Sequence, residues 1–291
     1  MYKDITQHVD CTQEEYFAMD GISNSDVSLF YRSPSLYKAK LEGLYPQVIS
    51  TPMRIGSAFD CLLLEPQDFE DRFSVTPHGM ATPTTDKQEE LVKAIRTGLD
   101  MQECFALAGY ARPDPKTYNR LMPYAEHLAE VGSRTTISSD EYDTLQNMLE
   151  SVRSNPVASQ AVDNTTKQSV FTATHEETGL LVKGMLDMVG PSYVCDLKTT
   201  GEEVSKFPRK IWSYNYDRQI AHYALLAGVE KCRFVAVESK GLNECDVFEL
   251  HIDRFESGVE KMHQALVDMK ASSVDNYTHR AHFYTTRWKL I

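Results

Sequence analysis

The sequence has no C-x-x-C pair, no surplus of basic residues, and nothing near the roughly 20 consecutive apolar residues of a membrane-spanning helix. Each absence excludes something. The six cysteines (Cys11, Cys61, Cys104, Cys195, Cys232 and Cys245) stand apart along 291 residues. A structural zinc site therefore has no ligand spacing to build on, and buried, reduced thiols are expected. No spanning helix is expected, and the opening MYKDITQHVD lacks the basic-then-apolar pattern of a secretory signal, so the expected location is the cytoplasm. The 30 Lys and Arg are outnumbered by 42 Asp and Glu, a net charge of −12. That argues against a protein that coats nucleic acid non-specifically, while leaving room for a local basic channel around an acidic centre. What is present is ordinary for a globular chain: 42% hydrophobic and 25% charged residues, enough for one good core with a helical portion attached.

No internal repeat or long low-complexity run interrupts the chain. The N-terminal third reads as helical. Ser23-Asn24-Ser25-Asp26 offers N-caps to an apolar run that Pro34 interrupts, a second helix is expected from Pro34 to Glu42, and a third from Ile55 to Glu65. Residues 74–86, rich in Thr and Pro, read as a surface loop. Ser138 and Glu141 form an S-x-x-E capping box for a helix ending near Asn155-Pro156. From there the texture changes: 168–174, 180–189, 193–199, 232–238 and 245–252 are strand-like, with helical spacing over 203–228. A last helix is marked by Phe255, Val259, Met262, Leu266 and Met269. The second half is therefore expected to be an α/β core with a mixed sheet, covered by helices from the first half.

The chemistry concentrates in Gly184–Lys198. Gly190-Pro191-Ser192 is a turn signal between two strand-like runs. A hairpin centred between Pro191 and Ser192 sets Asp187 opposite Asp196. Asp196 and Lys198, two apart, share a face. Two facing carboxylates in an apolar hairpin repel, a divalent cation resolves the conflict, and all-oxygen ligation favours Mg²⁺, with Mn²⁺ as the alternative. The lysine ammonium can then orient or help deprotonate a hydrolytic water. Gln219 and Tyr223, four apart, share one helical face, with Tyr214, Tyr216 and Arg218 just before them. His222, between them, reads as a packed histidine. The tail from Tyr277, with His279, Arg280, His282, Tyr284, Arg287, Trp288 and Lys289, suits nucleic-acid contact or subunit packing equally.

D-x8-D-x-K after three strand signals, followed by a helix carrying Q-x-x-x-Y, resembles the RecB-like branch of the PD-(D/E)XK superfamily. More closely, the chain resembles phage and prophage RecE-type exonucleases (exodeoxyribonuclease VIII). The stretches that carry this are Gly21-Ile-Ser-Asn-Ser25, Arg54-Ile-Gly-Ser-Ala-Phe-Asp60, Leu64-Glu-Pro66, Asp68-Phe69, Glu177-Thr-Gly179, Asp196-Leu-Lys-Thr-Thr200 and Tyr214-Asn-Tyr216 leading to Gln219 and Tyr223. They span about residues 14–73 and 138–270. The resemblance implies a restriction-endonuclease-like α/β fold: a mainly helical portion over 1–137 that joins the active site through residues 54–66, a nuclease core over 138–272 and a tail over 273–291, together one folded unit. It implies Mg²⁺ held by Asp187, Asp196, Asp60 and the backbone carbonyl of Leu197, with Lys198, Gln219 and Tyr223 completing the catalytic set. Asp60 stands where the family usually presents a histidine, and a glutamate common on the first core strand appears here as Gln168 or is displaced, so that no role is given to Gln168. The implied activity is 5′→3′ resection of linear double-stranded DNA, in the host cytoplasm for a phage-encoded protein, by a ring-like homo-oligomer working with a single-strand annealing protein. Two other readings stay open. One is a catalytically silent DNA-binding or assembly module of the same fold; the other is a RecB- or Cas4-like nuclease without an iron–sulfur cluster, for which the scattered cysteines supply no ligands.

Overall fold

The computed structural model describes residues 1–46, 49–273 and 276–277. In chain order the elements begin with β1 (Tyr2–His8), α1 (Gln13–Ala18), α2 (Asn24–Arg32), α3 (Pro34–Leu41), α4 (Thr51–Leu64), α5 (Phe69–Arg72), β2 (Phe73–Thr76), α6 (Asp86–Ile95), α7 (Met101–Leu107) and α8 (Pro115–Val131). They continue with β3 (Thr135–Ser138), α9 (Ser139–Ser154), α10 (Pro156–Asp163), β4 (Thr166–His175), β5 (Leu181–Val189), β6 (Tyr193–Thr200), α11 (Phe207–Ser213), α12 (Tyr216–Ala227), β7 (Lys231–Glu238), β8 (Cys245–Glu249) and α13 (Ile252–Ser273). The chain forms two compact units: Met1–Ser50 with Met148–Ile291, and Thr51–Asn147.

The first unit is built on a six-stranded sheet in the order β1-β4-β5-β6-β7-β8. β6 and β7 run parallel, from Tyr193↔Lys231 to Thr200↔Glu238, and every other pair is antiparallel. The parallel pair needs a crossover, which α11 and α12 supply. Near-continuous burial along β6 and β7 explains why those runs show no alternation. Val182, Leu186, Val194, Phe234 and Ala236 of the sheet share one core with Ile220, Ala224 and Leu226 of α12 and with Met262, Leu266 and Met269 of α13. Two glycines let the backbones close in. A Cβ at Gly184 would lie 2.8 Å from Leu226 Cδ1, and one at Gly258 would lie 2.4 Å from the Asp217 carbonyl oxygen and 2.8 Å from Ala221 Cβ.

The second unit has its own core, formed by Leu91, Val92, Phe105, Leu121 and Ala125. It also holds a two-stranded parallel sheet, β2 with β3, in register from Phe73↔Thr135 to Thr76↔Ser138. The capping box at α9 closes as the sequence predicts. Glu141 Oε2 accepts the Ser138 N–H at 2.8 Å, and Ser138 Oγ accepts the Glu141 N–H at 3.1 Å. Arg54 anchors the same carboxylate through two bonds of 2.9 and 2.6 Å.

The expected mixed α/β sheet with its flanking helices is therefore present. The N-terminal third differs from its helical reading at two places. Tyr2–His8 is an edge strand, five of whose seven residues are exposed, and its register shifts between Lys3 and Thr6, beside Asp4 at φ 54°. An exposed, irregular edge carries no period-2 signal. The stretch read as a loop from residue 74 begins inside β2. Of the tail at 273–291, the residues 274–275 and 278–291, including the basic and aromatic positions from His279 to Lys289, lie outside the described residues.

Candidate active site

The β5–β6 hairpin turns through Pro191-Ser192, with the Gly190 N–H donating to the Tyr193 carbonyl at 2.8 Å. The ladder then pairs Val189↔Val194 and Met188↔Cys195 and stops. The next position in that register sets Asp187 opposite Asp196, as the turn signal predicts. There a side chain replaces the ladder: Asp187 Oδ2 accepts the Leu197 N–H at 2.8 Å. On the other side of β5, Gln168 falls between the pairs Lys167↔Met188 and Ser169↔Leu186 and has φ 46°. Both ladders of β5 are thus interrupted at Asp187.

Charge accumulates in this gap. Asp196 is 1% exposed, and neither of its carboxylate oxygens has a well-aligned hydrogen-bond partner among the described residues. The Lys198 ammonium lies 2.5 Å from Asp196 Oδ2 and sits over the Tyr216 ring, 4.9 Å from its centroid. Burial, and then the Asp196 charge, push the Asp187 carboxyl up to about 7. Burial also raises Asp196, against the pull of Lys198. Burial alone would lower the lysine pKa, but the two carboxylates outweigh it and hold Nζ protonated, above its ordinary range. Two acids against one ammonium leave the gap one negative charge in excess when both are ionised.

A hard divalent cation fits this donor set. It would take up the unpartnered Oδ1 of Asp196 and the Asp187 carboxylate, and it would offset the burial that raises both pKa values and the Asp196 charge that raises Asp187 further. Among the described residues one other group of acidic and imidazole side chains lies close enough to hold a metal: His78, Asp140 and Asp143 in the second unit, all exposed. No further feature marks that group as a site.

α12 covers the gap. Gln219 Nε2 donates to Tyr223 Oη at 3.1 Å. Burial, and next the Asp196 charge, push the Tyr223 phenol well above its ordinary pKa, and Asp187 adds to this. Tyr223 therefore stays a neutral donor beside both carboxylates. His222 turns away, as a packed histidine: its Nδ1 meets the Tyr2 hydroxyl at 2.7 Å and its Nε2 lies 3.1 Å from the Lys183 carbonyl. Burial lowers its pKa to about 4, so the ring is neutral. The first unit thus brings Asp187, Asp196, Leu197, Lys198, Gln219 and Tyr223 together. Asp60 lies on α4 of the second unit, half-buried between Phe59 and Cys61.

Three features were not assigned from sequence. Tyr216 serves as the platform under Lys198. Gln168 holds a buried Oε1 without a hydrogen-bond partner beside the break at Asp187. Lys183, buried, donates to the carbonyls of Tyr16 at 2.9 Å and Met19 at 2.6 Å, closing the end of α1. The first had a signal, the Tyr-Asn-Tyr run before the helix. The other two depend on a left-handed backbone and a long-range contact that no local pattern encodes.

A family model, the PDDEXK-like domain of unknown function (DUF3799), matches residues 116–277, more than half of the chain. The chain belongs to this PDDEXK-like family. No curated protein sequence matches it. Among solved structures, a protein from Eubacterium rectale provisionally assigned as an exonuclease is similar at 12% identity and TM-score 0.54, covering 98% of this chain and 96% of that one. A phage-related exonuclease from Haemophilus somnus is 11% identical over 68% of this chain and 92% of that one, with TM-score 0.31. At such identity the first likeness speaks for the fold, and the second carries no argument. The six cysteines of this PDDEXK-like chain are all free thiols, and among its described residues no helix is long and apolar enough to cross a membrane.

Proposed function

We propose that this PDDEXK-like protein is a metal-dependent deoxyribonuclease that hydrolyses phosphodiester bonds. One observation carries the reading: at the break in the β5–β6 ladder, two buried carboxylates face each other beside a protonated lysine, with Asp196 Oδ1 left without a partner among the described residues. Mg²⁺, or Mn²⁺ in its place, would be held by Asp187 and Asp196, with the Leu197 carbonyl as a further ligand. When bound, the ion supplies Lewis acidity toward water and the phosphoryl oxygens. The remaining roles belong to the side chains. Lys198 keeps its proton at Nζ and donates to the attacking water or to a phosphoryl oxygen, where charge grows in the transition state. Tyr216 fixes the ammonium from below, and Tyr223, oriented by Gln219, offers its hydroxyl proton to the scissile strand.

The resemblance to RecE-type enzymes narrows the reading to an exonuclease acting on linear double-stranded DNA ends in the 5′→3′ direction. A homo-oligomeric ring, cooperation with a single-strand annealing protein and a cytoplasmic setting go with that reading. The test is digestion of linear duplex DNA labelled at its 5′ or 3′ end, with Mg²⁺ or EDTA, and with Lys198→Ala as the control. Mg²⁺-dependent release from ends, absent in the variant, is expected, and the order of label release reports polarity. Intact DNA under every divalent metal would refute the enzymatic reading in favour of a silent binding module, with Asp60 then marking a lost ligand.

A further inference from the structure

Away from the carboxylate pair, the first unit holds a cavity of about 920 Å³ whose lining runs against the charge of the chain. Its walls carry Arg32, Arg218 and Lys261 with Tyr31, Tyr214 and Ser213, and no acidic residue is among the described lining. Arg218 is the informative group. It is 4% exposed, yet Nε donates to Asn24 Oδ1 at 2.9 Å and Nη2 to Ser28 Oγ at 2.6 Å and to the Asn24 carbonyl at 3.4 Å, all uncharged. No carboxylate forms an ion pair with it among the described residues. A buried cation without a counterion is costly unless an anion joins it. The neighbouring Asp217 is taken by Lys261, 2.5 Å away. Asp268, outside the lining, is held by two lining residues, the Tyr31 hydroxyl and Gln264.

Two more features point to the same ligand class. α12 opens at this cavity on Asn215, whose side chain makes no capping bond, so the positive end of the helix adds to the cations. Aromatic faces border it: Tyr214 is 62% exposed, and the neighbouring Trp212, 54% exposed, carries Arg254 at 4.4 Å and Lys261 at 4.3 Å over its ring. Cations interleaved with exposed aromatic faces suit a strand that offers phosphates and unstacked bases. Tyr214 also stacks on Tyr216 at 5.6 Å, and Tyr216 lies under Lys198. The cavity therefore begins two rings from the scissile centre, within reach of one and the same strand.

We propose that this cavity is a second nucleic-acid subsite, which takes a backbone phosphate of a single strand between Arg32 and Arg218 while Tyr214 stacks on a neighbouring base; it rests on the nuclease reading for the identity of the strand. The test uses the full chain carrying Lys198→Ala, in EDTA, with fluorescence anisotropy of a short labelled oligo(dT) and of an abasic phosphodiester oligomer of equal length. Arg32→Gln, at an exposed position, should make the slope of log affinity against log salt shallower by about 0.7 for both probes, the loss of one phosphate contact. Tyr214→Ala should weaken oligo(dT) about 5- to 150-fold and leave the abasic probe unchanged. An unchanged slope in the first variant, or equal effects on both probes in the second, overturns the subsite. Cleavage by the protein with Lys198 intact separates the two readings. Cleavage with an unmoved slope discards the subsite and keeps the nuclease, whereas a moved slope without cleavage under any metal does the reverse.

Discussion

Asp187 and Asp196 are poised against the stability of the metal-free chain. An unfolded aspartate titrates near 3.9, whereas burial and its neighbour push Asp187 up to about 7 in the fold. Between those values the folded state keeps a proton that the unfolded state has released, so stability falls as pH rises through the window. In EDTA, the urea midpoint is expected to drop on going from about pH 5 to about pH 8, and Asp187→Asn should flatten that slope. Mg²⁺ should restore the midpoint at the upper end, since a ligand that binds only the folded state stabilises it. A midpoint that rises with pH in EDTA would contradict the burial of this pair. For Lys198 the expectation concerns rate. Removing one charge-stabilising donor lowers kcat by about 10²–10³, so Lys198→Ala should lose at least that much cleavage in end-labelled digestion while still binding metal, and near-native turnover would rule the lysine out. These residues were legible because a turn signal fixes register, and register fixes which side chains face each other. Asp60 was legible only as a motif, because sequence separation carries no distance between elements.

At the scale of elements, the local signals that closed were those with a short-range mechanism. The S-x-x-E box at Ser138 and Glu141, the Gly190-Pro191-Ser192 turn and the spacing of α13 all appear where chain chemistry dictates them. β1, the parallel β2–β3 pair and the break at Gln168 did not, since each depends on a partner distant in sequence or on a backbone conformation open to many residues. The contact of α12 with α13 is a case of the same kind. Nothing local marks Gly258, yet a Cβ there would press to 2.4 Å from a backbone oxygen that cannot rotate away. Gly258→Ala should therefore destabilise the first unit by about 1–3 kcal/mol, as overpacking does. Gly201→Ala, where the nearest atom would be Lys240 Cδ at 3.9 Å, should stay within about 0.5 kcal/mol of the parent. Equal urea midpoints for the two variants would mean that the helices can part without loss.

For the molecule as a whole, a net charge of −12 works against any phosphate approaching Asp187 and Asp196. Field and site can be reconciled if the cation that satisfies the carboxylates also admits the substrate. In the proposed nuclease, each bound Mg²⁺ would remove two units of negative charge where the substrate phosphate would lie. On the proposed reading, Lys198→Ala protein should hold a linear duplex without consuming it and bind it many-fold more tightly in Mg²⁺ than in EDTA. Added monovalent salt should narrow the ratio by screening. Mg²⁺ also binds DNA directly, so the comparison needs a second protein. Asp196→Asn, placed on the same Lys198→Ala background, removes a carboxylate proposed to hold the metal and should lose most of the Mg²⁺ effect. Anisotropy titrations of one labelled duplex with both proteins decide the matter. If both bind equally in Mg²⁺ and in EDTA, the acidic pair does not gate the approach of DNA, and the basic, aromatic cavity beside α12 must carry affinity unaided.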